Sequence, residues 1–304
     1  MTIVSPGYLE LSTGGPEPVR ATISRRAAAL RMLSVDGMDL VEPTADREPP
    51  PGLAGAILAP WPNRVEGAQW TLDGIPQYLE VTEPALGHAN HGLLLDSDYE
   101  IVSHSADEIT LRSAVDNEPG FPFHLEVGVR YRLESRGIRV THSVHNRSPV
   151  AAPFATGAHP YLRVGADAVD QLVVQVVAER ALALDEGHIP RGEFEVAGSD
   201  WDLSRGRRVD QAIPHAAYSG LALEQGLHVH RLRSQTATVE LWSDPAFAWL
   251  QLYVATDFAS LDGVGTAIAV EPMTAPPNAL RTGEGLMWLQ PDARWSAEWG
   301  IRLA

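Results

Sequence analysis

From Phe123 to Asn146 the chain reads FHLEVGVRYRLESRGIRVTHSVHN, and Leu125, Val127, Val129, Tyr131 and Leu133 alternate with polar or small residues. A period of two sends successive side chains to opposite faces of a strand, so this segment predicts a strand with one buried face. Glu134-Ser135-Arg136-Gly137 then supplies turn chemistry, and Ile138, Val140 and Val144 resume the alternation, which predicts a hairpin. Shorter strand-like runs recur at EITLRSAV, QLVVQVVAE, TATVELW and FAWLQLYVA, separated by Gly, Pro, Asp and Ser. No long stretch holds a helical period; RRAAALRMLSV has helix-forming alanines but ends in strand-like residues before Asp36-Gly37 and reads as strand or ambiguous. The run Ala267-Ile268-Ala269-Val270 predicts a buried strand that leaves the core at Glu271, followed by a loop stiffened by Pro272, Pro276 and Pro277.

Gly and Pro are spread along the 304 residues rather than gathered into one linker, which argues against a flexible junction between independent domains. Many short strands with turn signals predict an all-β fold, a sandwich of antiparallel sheets. The most loop-like stretch, VEPTADREPPPGLAG at residues 41–55, reads as an excursion over the surface.

Charge and composition narrow the partners. The formal net charge is -16, with no basic block, so neither a nucleic acid nor an anionic membrane is expected as a partner. With no cysteine there is no disulfide framework, thiolate nucleophile or cysteine-held metal. The start, MTIVSPGYLELSTGG, lacks a signal-peptide pattern, and no run of 18 apolar residues occurs, so a cytoplasmic protein is expected.

Four segments join stiff backbone to side chains suited to chemistry: LAPWPNRVEG with Asn63 and Arg64, GHANHGLL with His88 and His91, ATGAHPYL with His159 and Tyr161, and the Glu271 segment. Asn63-Arg64 reads equally as a turn plus a surface cation and as a functional pair. His88 reads as a solvated loop residue, and His91 as the maker of a structural hydrogen bond. The Gly157 and Pro160 that flank His159 favour an aimed side chain. His88, His91, His159 and Glu271 could make a metal ligand set, but histidines three apart in a Gly-bounded loop do not share a strand face, so no metal is expected. No G-x-S-x-G elbow is present. A histidine and a carboxylate in a cysteine-free β scaffold suit proton transfer at neutral pH, and the eight tryptophans include Trp61 beside Asn63, a flat surface of the kind on which a sugar packs, although most of the eight are expected in the core.

Taken in order, WPNRVEGAQWTLDG, HANHGLL, GAHPYL, WLQLYVAT and AVEPMTAPPNAL make the chain resemble the aldose 1-epimerase (galactose mutarotase) family, with its N-R, H-G, H-P-Y, Q-x-Y and E-P-x-T segments. The resemblance implies a galactose mutarotase-like antiparallel β-supersandwich in one domain over residues 1–304. It also implies interconversion of the α and β anomers of an aldohexose without a cofactor. By the same resemblance Glu271 is the catalytic base and His159 the catalytic acid. His91 hydrogen-bonds the ring oxygen or nearby hydroxyls, and Asn63, Arg64, Gln251 and Tyr161 hold the sugar. By the same resemblance His215, three residues before Tyr218, takes the place of the family's mid-chain Asp, which makes His215 a substrate-binding candidate and leaves the preferred sugar open. Protonation of His215 near its reference pKa of about 6.5 would remove its acceptor nitrogen. Two other readings are a catalytically silent sugar-binding protein on the same fold and an epimerase of an anionic sugar. A monomer or homodimer is expected.

Overall fold

In the computed structural model residues 7–44, 49–260 and 263–304 are described. The hairpin of the alternating segment is present as Phe121–Glu134 and Gly137–Asn146, joined by the two-residue turn Ser135-Arg136 with Glu134 opposite Gly137. Its buried positions are the predicted ones: Leu125, Val127, Val129, Tyr131 and Leu133 face inward and their neighbours do not. Among the described residues this hairpin lies within a ten-stranded antiparallel sheet that continues through Arg294–Leu303, Thr238–Ser243 and Leu227–Arg233. An eight-stranded sheet runs in the order Pro190–Glu195, Ala178–Leu184, His215–Leu221, Trp249–Ser260, Gly263–Met273, Gly157–Ala158 and Ile57–Leu58, with Tyr161–Leu162 also pairing with Gly263–Met273. A four-stranded sheet holds the N-terminal region from Tyr8–Ser12 to Met38–Asp39. Helix is confined to the single turn Ala279–Thr282 and short 3-10 segments among the described residues.

One hydrophobic core joins the two large sheets. It holds Leu125, Val127, Val129 and Val140 from one and Leu250, Leu252, Ile268 and Val270 from the other. Because strand side chains alternate, burying Leu250, Leu252, Ile268 and Val270 turns Gln251, Tyr253, Ala269 and Glu271 to the opposite face of the eight-stranded sheet. The site is built on that face.

Three sequence expectations change. The ambiguous RRAAALRMLSV resolves into a strand only over Leu30–Val35, because Ala27 and Ala28 take positive φ and turn the chain before it. QLVVQVVAE is not one strand: Val173–Gln175 belongs to the ten-stranded sheet and Ala178–Leu184 to the eight-stranded one, so the run crosses between layers, with Val174 and Val176 buried and Val177 exposed at the crossing. Glu271 is not at a strand exit. The strand Gly263–Met273 continues through it, with Glu271 opposite Gln251 and Pro272 opposite Leu250. Of the predicted excursion, residues 45–48 lie outside the described residues; its flank is tied down through buried Glu42, which meets Arg163 at 3.3 Å.

Candidate active site

The sheet register assembles the site. Gly157 pairs with Met273 and Tyr161 with Ala269, so His159, midway between them, falls opposite Glu271. Glu271 pairs with Gln251, and Gln251 with Ala217. One row across the sheet therefore reads Ala217, Gln251, Glu271, His159. The next row on the same face reads His215, Tyr253, Ala269, Tyr161, since His215 pairs with Tyr253 and Tyr253 with Ala269. The two alanines leave room between polar and aromatic neighbours. His159 Nε2 lies 3.5 Å from Glu271 Oε1, with the two side chains 7% and 2% exposed. His159 is held from both sides, its N–H donating to Ala56 O and its carbonyl accepting from Gly55 N. The Tyr161 ring stacks on His159 at 5.2 Å between centroids and meets Phe258 at 4.5 Å, so it backs the imidazole.

A second arm comes from the loops. The Asn63 and His91 backbones clasp each other: His91 N donates to Asn63 O at 2.9 Å, and Asn63 N donates to His91 Nδ1 at 3.1 Å. That second bond fixes a tautomer, because a neutral imidazole whose Nδ1 accepts carries its proton on Nε2. His91 therefore does make the structural hydrogen bond expected of it, and the same bond leaves the other nitrogen a donor. Gly92 follows at φ 83°, where a Cβ would lie 2.0 Å from Ala59 O, so the H-G pair needs its glycine. Asn63 Nδ2 reaches Gln251 Oε1 at 3.5 Å. Arg64 is neither a surface cation nor free in its reach, since Glu83 takes two of its donors, Nε at 2.7 Å and one Nη at 2.8 Å. His88, expected in solvent, is buried, and its Nδ1 accepts from Gly67 N at 3.1 Å.

Burial dominates the electrostatics. It lifts the Glu271 carboxyl to about 8, with Arg64 opposing, and pushes His159 down to about 4. His91 falls well below the usual imidazole range for the same reason, with His159 and Arg64 adding to the effect. Glu271 Oε2 and His159 Nδ1 are buried without a hydrogen-bond partner. Unsatisfied buried polar atoms are costly, and here they converge on one face. Spacing alone spoke against a metal, yet the fold gathers His91, His159 and Glu271 until their ligand atoms all lie within 4.8 Å of one another. The Asn63 bond argues the other way: a metal at His91 Nε2 would have to displace the proton that the Nδ1 acceptor holds there.

The sequence matches the aldose 1-epimerase family model over residues 11–302. The chain belongs to the aldose 1-epimerase family. Among its relatives is YihR of Escherichia coli K12, an uncharacterized protein 31% identical over 272 residues, which cover 89% of this chain and 85% of YihR. A maltose epimerase of Levilactobacillus brevis is 28% identical over 165 residues, 52% of this chain and 48% of that one. Among solved structures, a putative aldose 1-epimerase from Escherichia coli K12 superposes with a TM-score of 0.81 at 20% identity, covering 98% of this chain and 99% of that one. An aldose epimerase homologue from C. elegans does so with a TM-score of 0.83 at 16% identity, covering 98% of each chain. The fold is the galactose mutarotase-like supersandwich.

For this epimerase family member the structure adds residues that the sequence did not single out. Thr274 Oγ1 accepts from Thr156 N at 2.8 Å, which locks the glutamate strand to the histidine segment. Asn278, at φ 71°, donates its N–H to Arg64 O at 2.7 Å and accepts from Glu66 N at 3.0 Å, which locks the proline-rich loop to the Asn63-Arg64 arm. Glu83 and His188 are the other additions. The spacing E-P-x-T and P-P-N carried a signal for the first two; nothing local distinguished Glu83 or His188.

Proposed function

We propose that the protein is an aldose 1-epimerase that opens and closes the pyranose ring of a free aldose by proton transfer, with Glu271 as base and His159 as acid. The observation that carries this is the opposition of the two buried side chains across one sheet register, 3.5 Å apart. In the resting site the pair is neutral, since burial favours the protonated carboxyl and the uncharged imidazole. The transferable proton is on Glu271. Moving that proton to His159 yields a carboxylate that takes the anomeric hydroxyl proton and an imidazolium that protonates the ring oxygen. The ring opens, C1 turns, and the reverse transfers close the other anomer. Each positioned group contributes about 10²–10⁴-fold. His91 donates from Nε2 to the ring oxygen or a neighbouring hydroxyl; Asn63, Gln251 and the Arg64 guanidinium orient the rest, and Tyr161 supports His159 from behind. The chain acts as one domain and needs no metal or organic cofactor.

Saturation-transfer NMR on glucose and galactose detects anomer exchange directly. Exchange above the buffer rate supports the reading, and exchange at the buffer rate for every aldose overturns it in favour of a silent sugar-binding protein. The maltose epimerase relative adds a second substrate to the panel, a reducing disaccharide whose reacting ring presents the same anomeric centre.

A further inference from the structure

We propose that His188 is a specificity-determining residue of this site, forming with His215 a stacked pair of imidazoles that reads the sugar hydroxyls remote from the anomeric carbon. The proposal rests on the epimerase reading above. The two rings lie 4.2 Å apart between centroids and 18° from parallel, and His215 leans on Tyr253 at 4.5 Å. His215 occupies the same sheet face as Glu271, two strands away, roughly 10 Å at the usual strand spacing. A pyranose ring with a hydrogen bond at each end spans a gap of that order. His215 Nδ1 is buried without a hydrogen-bond partner, so the pair carries at least one unpaired polar atom.

His188 is held in place by a braced turn. Asp185 Oδ1 accepts from Gly187 N and Ile189 N, each at 2.9 Å, while His188 N donates to Asp185 O. His188 itself sits at φ 59°, a conformation few side chains adopt without surrounding support. Arg191 ties the turn to the substrate arm, donating from Nε to Asp185 Oδ2 at 2.8 Å and from Nη2 to Glu66 Oε1 at 2.5 Å. A Cβ on Gly187 would come within 3.1 Å of His88 Nε2, which shows how closely the turn packs on the buried His88. The turn, the Arg64–Gly67 segment and His88 thus form one unit. The chemistry follows from the inventory of atoms. A neutral imidazole offers one donor and one acceptor, and two rings held in register offer two of each. Adjacent hydroxyls of an uncharged sugar each donate and accept, which suits such a pair.

The test compares wild type with His188→Phe, which keeps a flat ring on His215 and removes both nitrogens, and with His188→Gln, which restores a donor and an acceptor without the ring. Exchange kinetics give kcat and KM for glucose and galactose. Calorimetry gives Kd for the corresponding anhydro-hexitols, which lack the anomeric hydroxyl and cannot react. In His188→Phe the expected result is a rise of about tenfold in KM and in Kd, kcat within about threefold of wild type, and a changed glucose-to-galactose ratio, with part of the affinity returned in His188→Gln. If the Phe variant does not fold, the Gln variant against wild type carries the same comparison, with a changed Kd ratio expected. Unchanged Kd values and sugar ratios, or a fall in kcat with Kd intact, overturn the proposal. Wild-type protein that binds the hexitols without exchanging anomers overturns the epimerase reading alone, and the Kd comparison still decides the role of His188.

Discussion

The two large sheets obey the same period-two rule and use it for opposite ends. In the hairpin Phe121–Glu134 and Gly137–Asn146 the inward residues are mostly apolar and packed, as at Leu125, Val127, Val129 and Val140, and the two polar ones, His142 and Asn146, have hydrogen-bond partners. On the far face of the eight-stranded sheet polar residues are buried among small and aromatic ones: Gln251, Glu271 and His159 are all 5% exposed or less. The first surface gains free energy from leaving water. The second loses it, through desolvated groups with unpaired atoms at Glu271, His159 and His215. Its persistence in a folded chain requires the surrounding clasps, Thr274 to Thr156 and Asn63 to His91, to hold groups that would otherwise turn to solvent or to each other. One sheet stabilises the molecule; the other spends part of that stability on reactive groups.

The comparison predicts opposite phenotypes for substitutions on the two surfaces. Replacing Glu271 by Gln should lower turnover by at least about 10²-fold without loss of thermal stability, because the amide keeps the shape, cannot accept a proton and costs less to bury. Near-normal exchange in the purified variant would remove Glu271 from the base role. Leu125→Ala should do the reverse, destabilising the fold by about 2–5 kcal/mol while folded protein keeps its kcat. Denaturant unfolding beside exchange kinetics reads both. A Leu125 variant with normal stability and damaged kcat would dissolve the contrast between the sheets.

How much of this was legible in the sequence follows from the same contrast. The hairpin was read residue by residue, since its burial pattern is a local property of alternating side chains. The segments that the fold brings together were also visible, because glycine and proline mark stiff backbone around His159 and Glu271. The partners of those groups were not. Glu83 meets Arg64 across nineteen positions and His188 meets His215 across twenty-seven, so no short window of sequence holds either pair. The placement of Glu271 at a strand exit failed for a related reason. Proline at 272 looked like a terminator, but the sheet register carries the strand past it to Met273. The metal argument from loop spacing could not see that three distant segments converge.

Stability against pH sharpens the contrast next. Glu271 has a folded pKa of about 8, above the ordinary 4.5, so the folded chain binds this proton more tightly than the unfolded one. That contribution is fully present below about 4.5 and is lost as pH rises through about 8. The buried histidines act in the other direction: with folded values of about 4, His159 and His215 contribute above 6.5 and lose that contribution as pH falls toward about 4. The melting temperature of Glu271→Gln should therefore exceed that of wild type by a few degrees more at about pH 9 than at about pH 5. Parallel melting curves across that range would mean that Glu271 is ionised in the folded protein, and with it the cost assigned to this face would vanish.

The smallest expected effect lies at His215, the residue expected from the sequence to take the place of the family's aspartate. Its own burial is the main cause of a folded pKa near 4, with the neighbouring His188 and Arg64 charges adding to it. The expectation from the reference value, a loss of binding near pH 6.5, is therefore corrected: KM should stay flat down to about pH 5 and rise only below it. His215→Asp replaces one acceptor and one donor by two acceptor oxygens beside Arg64, and it removes the ring on which His188 stacks. Relative kcat/KM for galactose and glucose should shift by about tenfold or less, the range of one exchanged hydrogen bond. A carboxylate on this face also raises the cost of ionising Glu271 by like-charge repulsion, so the pH at which kcat/KM is half-maximal should move upward in the variant. The two readouts separate two roles. A changed sugar ratio with an unmoved pH profile places His215 at the hydroxyls and far from the reacting pair. A moved profile with the ratio intact makes it part of the electrostatic frame of Glu271, and no change in either returns it to a packing partner of Tyr253.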